Sequence, residues 1–399
     1  RSTCLRLEVV TDIPGRADQL TEAWLTAAMR DAGAIDGSVV VESFRVETLS
    51  SGGVGLSGDT ARLVLTYTRT SEVHNAPSTV IAKFPTSAAA NRGMVESLDC
   101  YAREIAFYRD LAHQVPVRLP AHLGSAMDPG GSGRATELGS RLVERLPARL
   151  HLAITKDITK FMRPSKRRYA LLLEDMGSEG HVHDLSAPPS LEQVHEALMV
   201  FARLHGEYWG HRHLDDHPAM RRLVTDIPRT YSNVHRGRAR PMAEERWASW
   251  LTPAQRSMMD DALANFANDV DVINEPWTLV HGDPRSDNLL YRDDGVVVLD
   301  WALTAIAHPG YDVAYLLGSS VRVEEMGAVP DLIAEYLATA NAAGAPVSAA
   351  ELRRGMVAGT RANIVQQVSS LPVLVGDYGH HGMPADLWTP RLFAFLAAL

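Results

Sequence analysis

Residues 277–316 read "WTLVHGDPRSDNLLYRDDGVVVLDWALTAIAHPGYDVAYL", a stretch in which polar side chains lie at the edges of short apolar runs. Within it, His281, Asp283 and Asn288 have the spacing H-x-D-x4-N. Asp300 ends the apolar run "GVVVLD", and the turn residues at 293–295 predict a hairpin between this run and the one before it. Such a hairpin would bring Asn288 and Asp300 together.

The side-chain types in this stretch suit phosphoryl transfer, and the spacing is that of the kinase catalytic loop. A hydroxyl that attacks phosphorus needs an acceptor for its proton and a correct orientation. A carboxylate at the tip of a loop, such as that of Asp283, can supply both. Magnesium prefers hard oxygen ligands, so we expect Asn288 and Asp300 to bind one or two magnesium ions.

Length and composition limit the class of protein. The 399 residues are 46% hydrophobic, which is enough for a large core and predicts two lobes or domains. The two cysteines, Cys4 and Cys100, are too few for a disulfide framework and favour a reducing compartment. The first residues lack the apolar core of an export signal, and no apolar run approaches the roughly 18 residues that span a bilayer. We expect a cytoplasmic protein that does not insert into a membrane.

Charge is distributed unevenly along the chain. The net charge of −9 divides into about +4 for residues 1–170 and about −13 for residues 171–399. This balance argues against a nucleic-acid-binding protein. The 39 basic residues include only four lysines, at positions 83, 156, 160 and 166. Arginine cannot replace the compact charge of an ammonium everywhere, so each lysine is a candidate functional residue.

The first part of the chain alternates helix and strand patterns. A helix is predicted around 17–29, followed by the strand-like runs "VVVESFRVETL", "TARLVLTYT" and "STVIAKF", the last of which contains Lys83. The segment "SSGGVGLSGDT" between the first two runs predicts either a turn that approaches a ligand closely or a flexible hairpin. A helix over about 97–112 carries Glu104 at the margin of its apolar stripe, where a carboxylate needs a partner such as Lys83.

The rest of the chain is mostly helical. An insertion with turn-rich and then basic sequence covers about 128–168, and "YALLLEDM" after it predicts a strand that connects two lobes. Ser190 with Gln193, and Ser348 with Glu351, have the spacing of capping boxes that begin two helices. The pattern is α+β in two lobes.

Seven segments carry a resemblance to a known family: "LSSGGVGLSGDTARLVLTY", "STVIAKFP", "YAREIAFYRDL", "YALLLEDM", "ALMVFARLHGEYWG", "HGDPRSDNLLY" and "VVVLDW". In these segments and their order the chain resembles the aminoglycoside phosphotransferase and choline kinase-like superfamily, and within it the bacterial ecdysteroid-kinase-like branch. The resemblance implies a bilobal protein-kinase-like fold, with an N-terminal antiparallel sheet lobe carrying one main helix and a larger, mostly helical C-terminal lobe. The implied lobes are residues 1–173, for nucleotide binding, and 174–399, for catalysis and substrate binding.

The same resemblance implies how the first lobe would bind ATP. Lys83 would hold the α- and β-phosphates and be oriented by Glu104, while the main chain of Glu174 and Met176 would meet the adenine edge. The residues implied over the nucleotide phosphates are Gly53, Gly55, Ser57 and Gly58.

In the second lobe, the resemblance implies that Asp283 is the catalytic base and that Asn288 and Asp300 hold Mg2+. His281 would brace the catalytic loop, and Asp312 would hydrogen-bond to the main chain of that loop.

The chain departs from protein kinases in ways that bear on the substrate. Asp300 is followed by Trp301-Ala302 rather than Phe-Gly, and the sequence has no A-P-E element, which favours small hydroxyl compounds over protein substrates. The sequence also has no G-x-x-x-x-G-K-[ST] loop, so it is not a P-loop enzyme.

The acceptor is left open by the sequence. Tyr208, Trp209 and His211 follow a helix whose family counterpart faces the acceptor pocket, so we expect them to line it. The acidic second lobe suits a cationic acceptor such as an aminoglycoside, whereas its aromatic residues and the branch resemblance suit a bulky hydroxylated natural product.

The histidines between 181 and 217 could bind zinc, although the lack of a nearby cysteine favours a structural role.

The function predicted from these features is ATP- and Mg2+-dependent transfer of the γ-phosphoryl group to an alcohol group of a small molecule. One alternative is a nucleotide-binding scaffold without catalysis, and another is a protein kinase. Neither the oligomeric state nor a preference between ATP and GTP follows from the sequence.

Overall fold

The structure, a computed structural model, describes residues 12–48, 58–68, 75–129, 142–143, 145–147, 150, 165–177, 179–220, 222–223, 235–275, 277–371 and 384–399. The chain divides into two compact units. The first unit comprises the described residues of Arg1–His113, Pro120–Gly131 and Pro164–Met176. The second unit comprises the described residues of Gln114–Leu119, Ser132–Arg163 and Gly177–Leu399.

The first unit is built on a five-stranded antiparallel sheet. Its strands are β1 (Val41–Thr48), β2 (Gly58–Tyr67), β3 (Thr79–Pro85), β4 (His122–Met127) and β5 (Tyr169–Glu174), in the order β1-β2-β3-β5-β4. Every second residue of β2 from Ala61 to Tyr67 is buried, as the alternating sequence of this strand predicts. In the register between β2 and β3, Thr60 pairs with Lys83.

The helices described in the first unit are α1 (Glu22–Asp31), α2 (Ala89–Ser97) and α3 (Cys100–Asp110). Thr21 caps α1 by accepting a hydrogen bond from the main-chain N–H of Trp24 (3.1 Å), and Trp24 then packs in the core of this unit. The helix predicted over 97–112 corresponds to α3. The sequence analysis did not predict α2, which Asp99 separates from α3 by its left-handed conformation (φ 53°).

The described part of the second unit contains five short strands, four of which lie within the segment 277–316. These are β6 (His181–Val182), β7 (Thr278–Val280), β8 (Leu289–Arg292), β9 (Gly295–Val298) and β10 (Ala305–Ala307). They form a three-stranded sheet, β6-β8-β9, and a two-stranded sheet, β10-β7. Arg292 pairs with Gly295 across the turn between β8 and β9, so the hairpin expected at 293–295 is present.

Seven α-helices are described around these strands: α4 (Leu191–Glu207), α5 (Arg240–Arg246), α6 (Pro253–Ile273), α7 (Gly310–Ser320), α8 (Val329–Ala342), α9 (Ala349–Ser370) and α10 (Pro384–Ala398). Every residue of α7 is buried, and this helix packs against α9 and α10. At Gly310 a Cβ atom would lie 2.7 Å from the main chain of Gly355, so the close approach of α7 and α9 depends on this glycine.

Helix starts are the best predicted local features of the second unit. Both expected capping boxes are confirmed: Ser190 and Gln193 begin α4, and Ser348 and Glu351 begin α9, each with reciprocal side-chain and main-chain hydrogen bonds. A third capping box, which begins at Thr252, starts α6.

The predicted α+β fold, with an antiparallel sheet unit and a larger helical unit, is confirmed. Most of the insertion predicted at 128–168 lies outside the described residues. None of the helices in the described ranges combines the length and apolar character that crossing a membrane requires.

A buried carboxyl group predicts how the stability of the second unit depends on pH. Asp269 on α6 is 5% exposed, and its nearest cation, Arg361 on α9, is 3.7 Å away. Burial raises the pKa of Asp269 to about 7, and Arg361 only partly offsets this effect. Because the folded-state pKa is above the unfolded one, the native protein binds the extra proton, and stability falls as pH rises from about 4 to 7.

We therefore expect Asp269→Asn to be more stable than the parent protein at pH 8 by on the order of 1–3 kcal/mol, with a much smaller difference at pH 4.5. Urea denaturation at the two pH values measures this. Asp271→Asn, on the exposed side of the same helix, is the matched control and should show no such pH dependence. Equal effects of Asp269→Asn at both pH values would contradict the prediction.

Candidate active site

Lys83 and Glu104 form an ion pair inside the first unit. The Lys83 Nζ atom on β3 lies 2.5 Å from Oε1 of Glu104 on α3, and the two side chains are 19% and 6% exposed. A carboxylate this deeply buried needs a charged or hydrogen-bonded partner. The pair therefore fixes the ammonium group of Lys83 in one place beside the sheet.

Of the residues expected over the nucleotide phosphates, Gly53, Gly55 and Ser57 lie outside the described part of the chain. Gly58 is the first residue of β2 and pairs with Pro85. A Cβ atom on Gly58 would lie 2.7 Å from the carbonyl oxygen of Phe84, so this position requires glycine for steric reasons alone.

Glu174 and Met176 lie at the end of β5 and just beyond it. The main-chain N–H of Glu174 donates to the carbonyl oxygen of Ala121 (2.9 Å), and the N–H of Ala121 donates to the Glu174 carboxylate (3.1 Å). Between the two residues, Asp175 forms an ion pair with Arg62 (2.8 Å). These contacts fix the main chain where β5 ends, while contact with adenine stays a prediction.

The loop that carries Asp283 begins where β7 ends, in the second unit. The carboxylate of Asp312, near the start of α7, accepts hydrogen bonds from the main-chain N–H groups of His281 (2.7 Å) and Gly282 (2.9 Å). Asp312 is fully buried, so these donors replace the water that its charge has lost. The Nε2 atom of His205 on α4 lies 3.3 Å from the same carboxylate. The start of the loop is thus tied to two helices.

His281 braces the loop from within. Its Nε2 atom donates to the carbonyl oxygen of Leu299 (2.8 Å), and its Nδ1 atom accepts from the main-chain N–H of Asp283 (3.2 Å). The ring is fully buried, and burial lowers the pKa of His281, so the imidazole is neutral at pH 7. Both ring nitrogens are engaged by main chain. His281 therefore holds the loop and has no nitrogen left for a substrate.

Asp283 is held through one carboxylate oxygen. The Nδ2 group of Asn288 donates to the Asp283 carbonyl oxygen (2.8 Å) and to its Oδ2 atom (3.1 Å). The Oδ1 atom is buried and makes no hydrogen bond, while the side chain as a whole is 16% exposed. Burial raises the pKa of Asp283 to about 7, against the opposing attraction of Arg285. A carboxylate with one oxygen fixed and the other able to accept suits a general base.

Asn288 and Asp300 are brought together by the hairpin of β8 and β9. Leu289 pairs with Val298, and the N–H of Leu299 donates to the carbonyl oxygen of Asn288 (2.9 Å). Asp300 follows directly, in a left-handed conformation (φ 58°). Because the Nδ2 group of Asn288 is turned toward Asp283, its Oδ1 atom lies on the opposite side of the amide group.

The donor atoms of this pair fit magnesium. An amide oxygen and a carboxylate are hard ligands, and magnesium is commonly held by one or two such side chains together with substrate phosphates and water. In the described part of the chain, no group of three or more His, Cys, Asp or Glu residues could hold a metal ion. The zinc interpretation of the histidines between 181 and 217 therefore gains no support from these residues.

Sequence reasoning missed two charged residues inside the loop. Arg285 lies between Asp283 and Asp287, with its Nε atom 3.1 Å from Oδ1 of the first and 3.3 Å from Oδ1 of the second. Burial raises the pKa of Asp287, with Arg285 again opposing it. The signal was present in the motif "HGDPRSDN", because an arginine flanked two residues away on each side by aspartate can neutralise both.

Tyr208, Trp209 and His211 lie close to the residue that precedes β7. The N–H of Gly210 donates to the carbonyl oxygen of Trp277, which precedes β7, whereas the loop leaves the other end of that strand. The ring of Trp209 packs on Trp277 at 5.1 Å, and the Tyr208 hydroxyl donates to the carbonyl oxygen of Gln114. The predicted contact of these three residues with an acceptor stays a prediction.

The chain matches the model of a family described as a phosphotransferase enzyme family over residues 66–351. Comparison with curated protein sequences gives no significant match.

Solved structures with similar folds include several phosphotransferases and kinases. The aminoglycoside phosphotransferase APH(2'')-Ib, with ADP bound, is 13% identical, with 90% of this chain and 94% of that chain covered and a TM-score of 0.42. A macrolide 2'-phosphotransferase type I is 14% identical, with 95% and 98% covered and a TM-score of 0.43. The choline kinase of Cryptosporidium parvum Iowa II is 11% identical, with 92% of each chain covered and a TM-score of 0.47.

The geometry at Gly282 predicts a large cost for adding one methyl group there. Gly282 has φ 87°, and a Cβ atom on it would lie 2.3 Å from the carbonyl oxygen of Leu303. Gly210 has a similar φ of 73° with nothing within 4 Å of such an atom, so it is a matched control. Gly210→Ala should destabilise the protein by about 1–2 kcal/mol, the cost of the left-handed conformation. Gly282→Ala should cost on the order of 1–3 kcal/mol more, because the carbonyl oxygen must shift.

Urea denaturation of both variants at one pH measures the difference. Equal losses of stability would show that the loop accommodates the extra atom and that its packing against Leu303 is loose.

Proposed function

The chain belongs to the phosphotransferase enzyme family, and from this premise we propose that it transfers the γ-phosphoryl group of ATP to a hydroxyl group of a small molecule, with Mg2+ as cofactor. The observation that carries the proposal is the state of Asp283. Its Oδ2 atom is fixed by Asn288, whereas its Oδ1 atom makes no hydrogen bond. A carboxylate that is held in place and has an oxygen without a protein donor suits a general base, although the Oδ1 atom is buried in this structure.

In the proposed reaction the acceptor hydroxyl donates its hydrogen bond to Oδ1 of Asp283. As the hydroxyl oxygen forms its bond to the γ-phosphorus, the bond from that phosphorus to the bridging oxygen of ADP breaks, and Asp283 takes the proton. The products are a phosphate monoester and ADP. Because the transition state needs little covalent help, most of the rate should come from orientation and from charge stabilisation.

Lys83 is proposed to bind the nucleotide phosphates from the first unit. The ion pair with Glu104 restricts the ammonium group to one position, which reduces the entropy lost when a phosphate binds. An ammonium acts on phosphate as a point charge, so its location matters more than its orientation. The main chain after β5 is proposed to meet the adenine edge.

Asn288 and Asp300 are proposed to hold Mg2+ through Oδ1 of the amide and through the carboxylate. When bound, the ion would neutralise charge on the phosphate oxygens. The protein's part is to set the two ligands at the ends of a short hairpin, where the hydrogen bond from Leu299 to Asn288 fixes their spacing.

The acceptor class is a small hydroxylated compound, either cationic or a less polar natural product. The narrower resemblance to the ecdysteroid-kinase-like branch stays a prediction. A mixture of alcohol-bearing metabolites and antibiotics, incubated with ATP and Mg2+ and analysed by mass spectrometry for the gain of one phosphate, tests the class directly.

In that screen, we expect Asp283→Ala to reduce product formation by about 10²–10⁴-fold, the usual contribution of a general base. ATP affinity should stay unchanged, because Asp283 acts on the acceptor. Asp293→Ala, in the exposed turn of the same segment, is the control. Product formed by Asp283→Ala at the parent rate would remove Asp283 as the base. Failure of the parent to phosphorylate any alcohol would count against the proposed function itself.

Asp300→Asn should weaken the magnesium-dependent part of ATP binding. Loss of a contact that merely orients a metal ligand costs about 10–100-fold in metal affinity, so loss of a direct ligand should cost at least as much. Titration calorimetry with ATP, in Mg2+ and in EDTA, separates the two contributions. Asp294→Asn, in the turn of the same hairpin and 56% exposed, is the control. An unchanged Mg2+ dependence in Asp300→Asn would exclude Asp300 as a ligand.

A further inference from the structure

Arg285 occupies an unusual position beside the proposed base. Its side chain is 14% exposed, and its Nε atom lies 3.1 Å from Oδ1 of Asp283 and 3.3 Å from Oδ1 of Asp287. Its guanidinium carbon lies 5.4 Å from the ring centre of Trp388 on α10. The cation therefore contacts two carboxylates and the face of an aromatic ring.

The contact with Asp283 is an ion pair without a hydrogen bond. Neither Nε of Arg285 nor Oδ1 of Asp283 has a hydrogen-bond partner, so the N–H bond is not directed at the oxygen despite the short distance. Arg285 thus supplies positive charge next to the proposed base without donating a hydrogen bond to the buried Oδ1 atom. A direct hydrogen bond would occupy the atom that the reaction uses.

Trp388 holds Arg285 in this position. Its indole is 4% exposed and packs edge-on against Tyr315 of α7, with ring centres 5.9 Å apart and planes at 83°. The Nε1 atom of Trp388 has no hydrogen-bond partner, although buried indole N–H groups usually find one. The residue is therefore used for its ring face, which attracts a guanidinium at this distance.

Tyr315 connects the same ring to the base. It lies between Trp388 and Asp283 and interacts with the carboxyl group of Asp283. Asp283, Arg285, Trp388 and Tyr315 therefore form a closed ring of contacts, which we call the clamp. Two of its members belong to the catalytic loop, one to α7 and one to α10.

We propose that Arg285 and Trp388 are positioning residues for the catalytic base. Arg285 balances the adjacent carboxylates of Asp283 and Asp287, and Trp388 holds Arg285 so that it does not hydrogen-bond to Oδ1. The inference rests on the proposed phosphotransferase function and assigns α10, about 100 residues after the loop, a part in the active site.

The kinetic test uses single variants with matched controls. Arg285→Met and Trp388→Leu should lower kcat by roughly 100-fold and 10-fold, because a misplacement of about 1 Å can cost 10²-fold. KM for ATP should stay within about twofold, since neither residue is proposed to bind nucleotide. Trp388→Phe, which keeps a weaker aromatic face and folds more readily, should fall between Trp388→Leu and the parent.

The controls remove similar side chains outside the clamp. Trp24→Leu removes an equally buried indole, 4% exposed, from the first unit. Arg391→Met removes an arginine from α10 that donates to the carbonyl oxygens of Ser319 (2.7 Å) and Leu185 (3.1 Å). Both variants should keep the parent kcat when assayed below their unfolding temperatures.

Coupling between the two residues is measured with the double variant. If Trp388 acts through Arg285, Arg285→Met with Trp388→Leu should have the kcat of Arg285→Met alone, whereas independent effects would multiply. The same double-mutant cycle can be measured as free energies of unfolding in urea, which requires no enzymatic activity. It therefore tests the clamp even if the parent protein phosphorylates no alcohol. If the two residues are coupled in stability but the parent is inactive, the proposed function is overturned, whereas the contact between Arg285 and Trp388 is supported.

Two results would overturn the positioning role. Coupling in stability together with an unchanged kcat in Arg285→Met would make the clamp a packing feature only. A raised KM for the acceptor with an unchanged kcat would show that Arg285 binds the substrate and does not position the base.

Discussion

The candidate site depends on the carboxylate of Asp312, which is buried without any exposed surface and accepts two main-chain N–H groups from the catalytic loop. A charge in that position is destabilising unless donors surround it, so the loop and the carboxylate require each other. The main chain must turn sharply at Gly282 for both N–H groups to point the same way, and Gly282 has the positive φ that this turn needs. The direction of Asp283 follows from this turn.

Charge in the second unit is arranged around the same loop. Burial raises the pKa values of Asp283 and Asp287, and the nearby carboxylate of Asp300 raises both further. Arg285 opposes this, and the hydrogen bonds from Asn288 fix the base without adding a charge. A loop with acids alone would hold protons at pH 7. The combination of one cation with one neutral amide places the proposed base beside the proposed metal-binding pair.

How much of this site the sequence predicts depends on how far apart its residues lie along the chain. His281, Asp283 and Asn288 lie within one short motif, so their spacing alone indicated a shared loop. Lys83 and Glu104 are 21 residues apart, and they could be paired because each was a charge in an apolar element that needed a partner.

Trp388 could not be found in this way. It is an apolar residue on an apolar helix, and its contact with Arg285 is set by how α10 packs on α7 and α9. The contacts of Tyr208 with Gln114 and of Trp209 with Trp277 were hidden for the related reason that periodicity shows which face of a helix is buried but not which neighbour covers it. The turn at Asp99 that separates α2 from α3 was equally hidden, because no glycine or proline marks it.

The backbone conformation of Asp300 is unfavourable for a residue with a side chain, whereas the proposed chemistry requires its carboxylate. Its φ of 58° and ψ of 70° place a residue with a side chain in the left-handed region, at a cost of about 1–2 kcal/mol that glycine would not incur. Aspartate tolerates this region better than most residues, but glycine would be more stable if the backbone alone mattered. The residue begins the 3-10 turn Trp301–Leu303 and follows Leu299, whose main chain binds both His281 and Asn288. The strain is therefore maintained by contacts on both sides, and the carboxylate is the one feature of Asp300 that glycine could not replace.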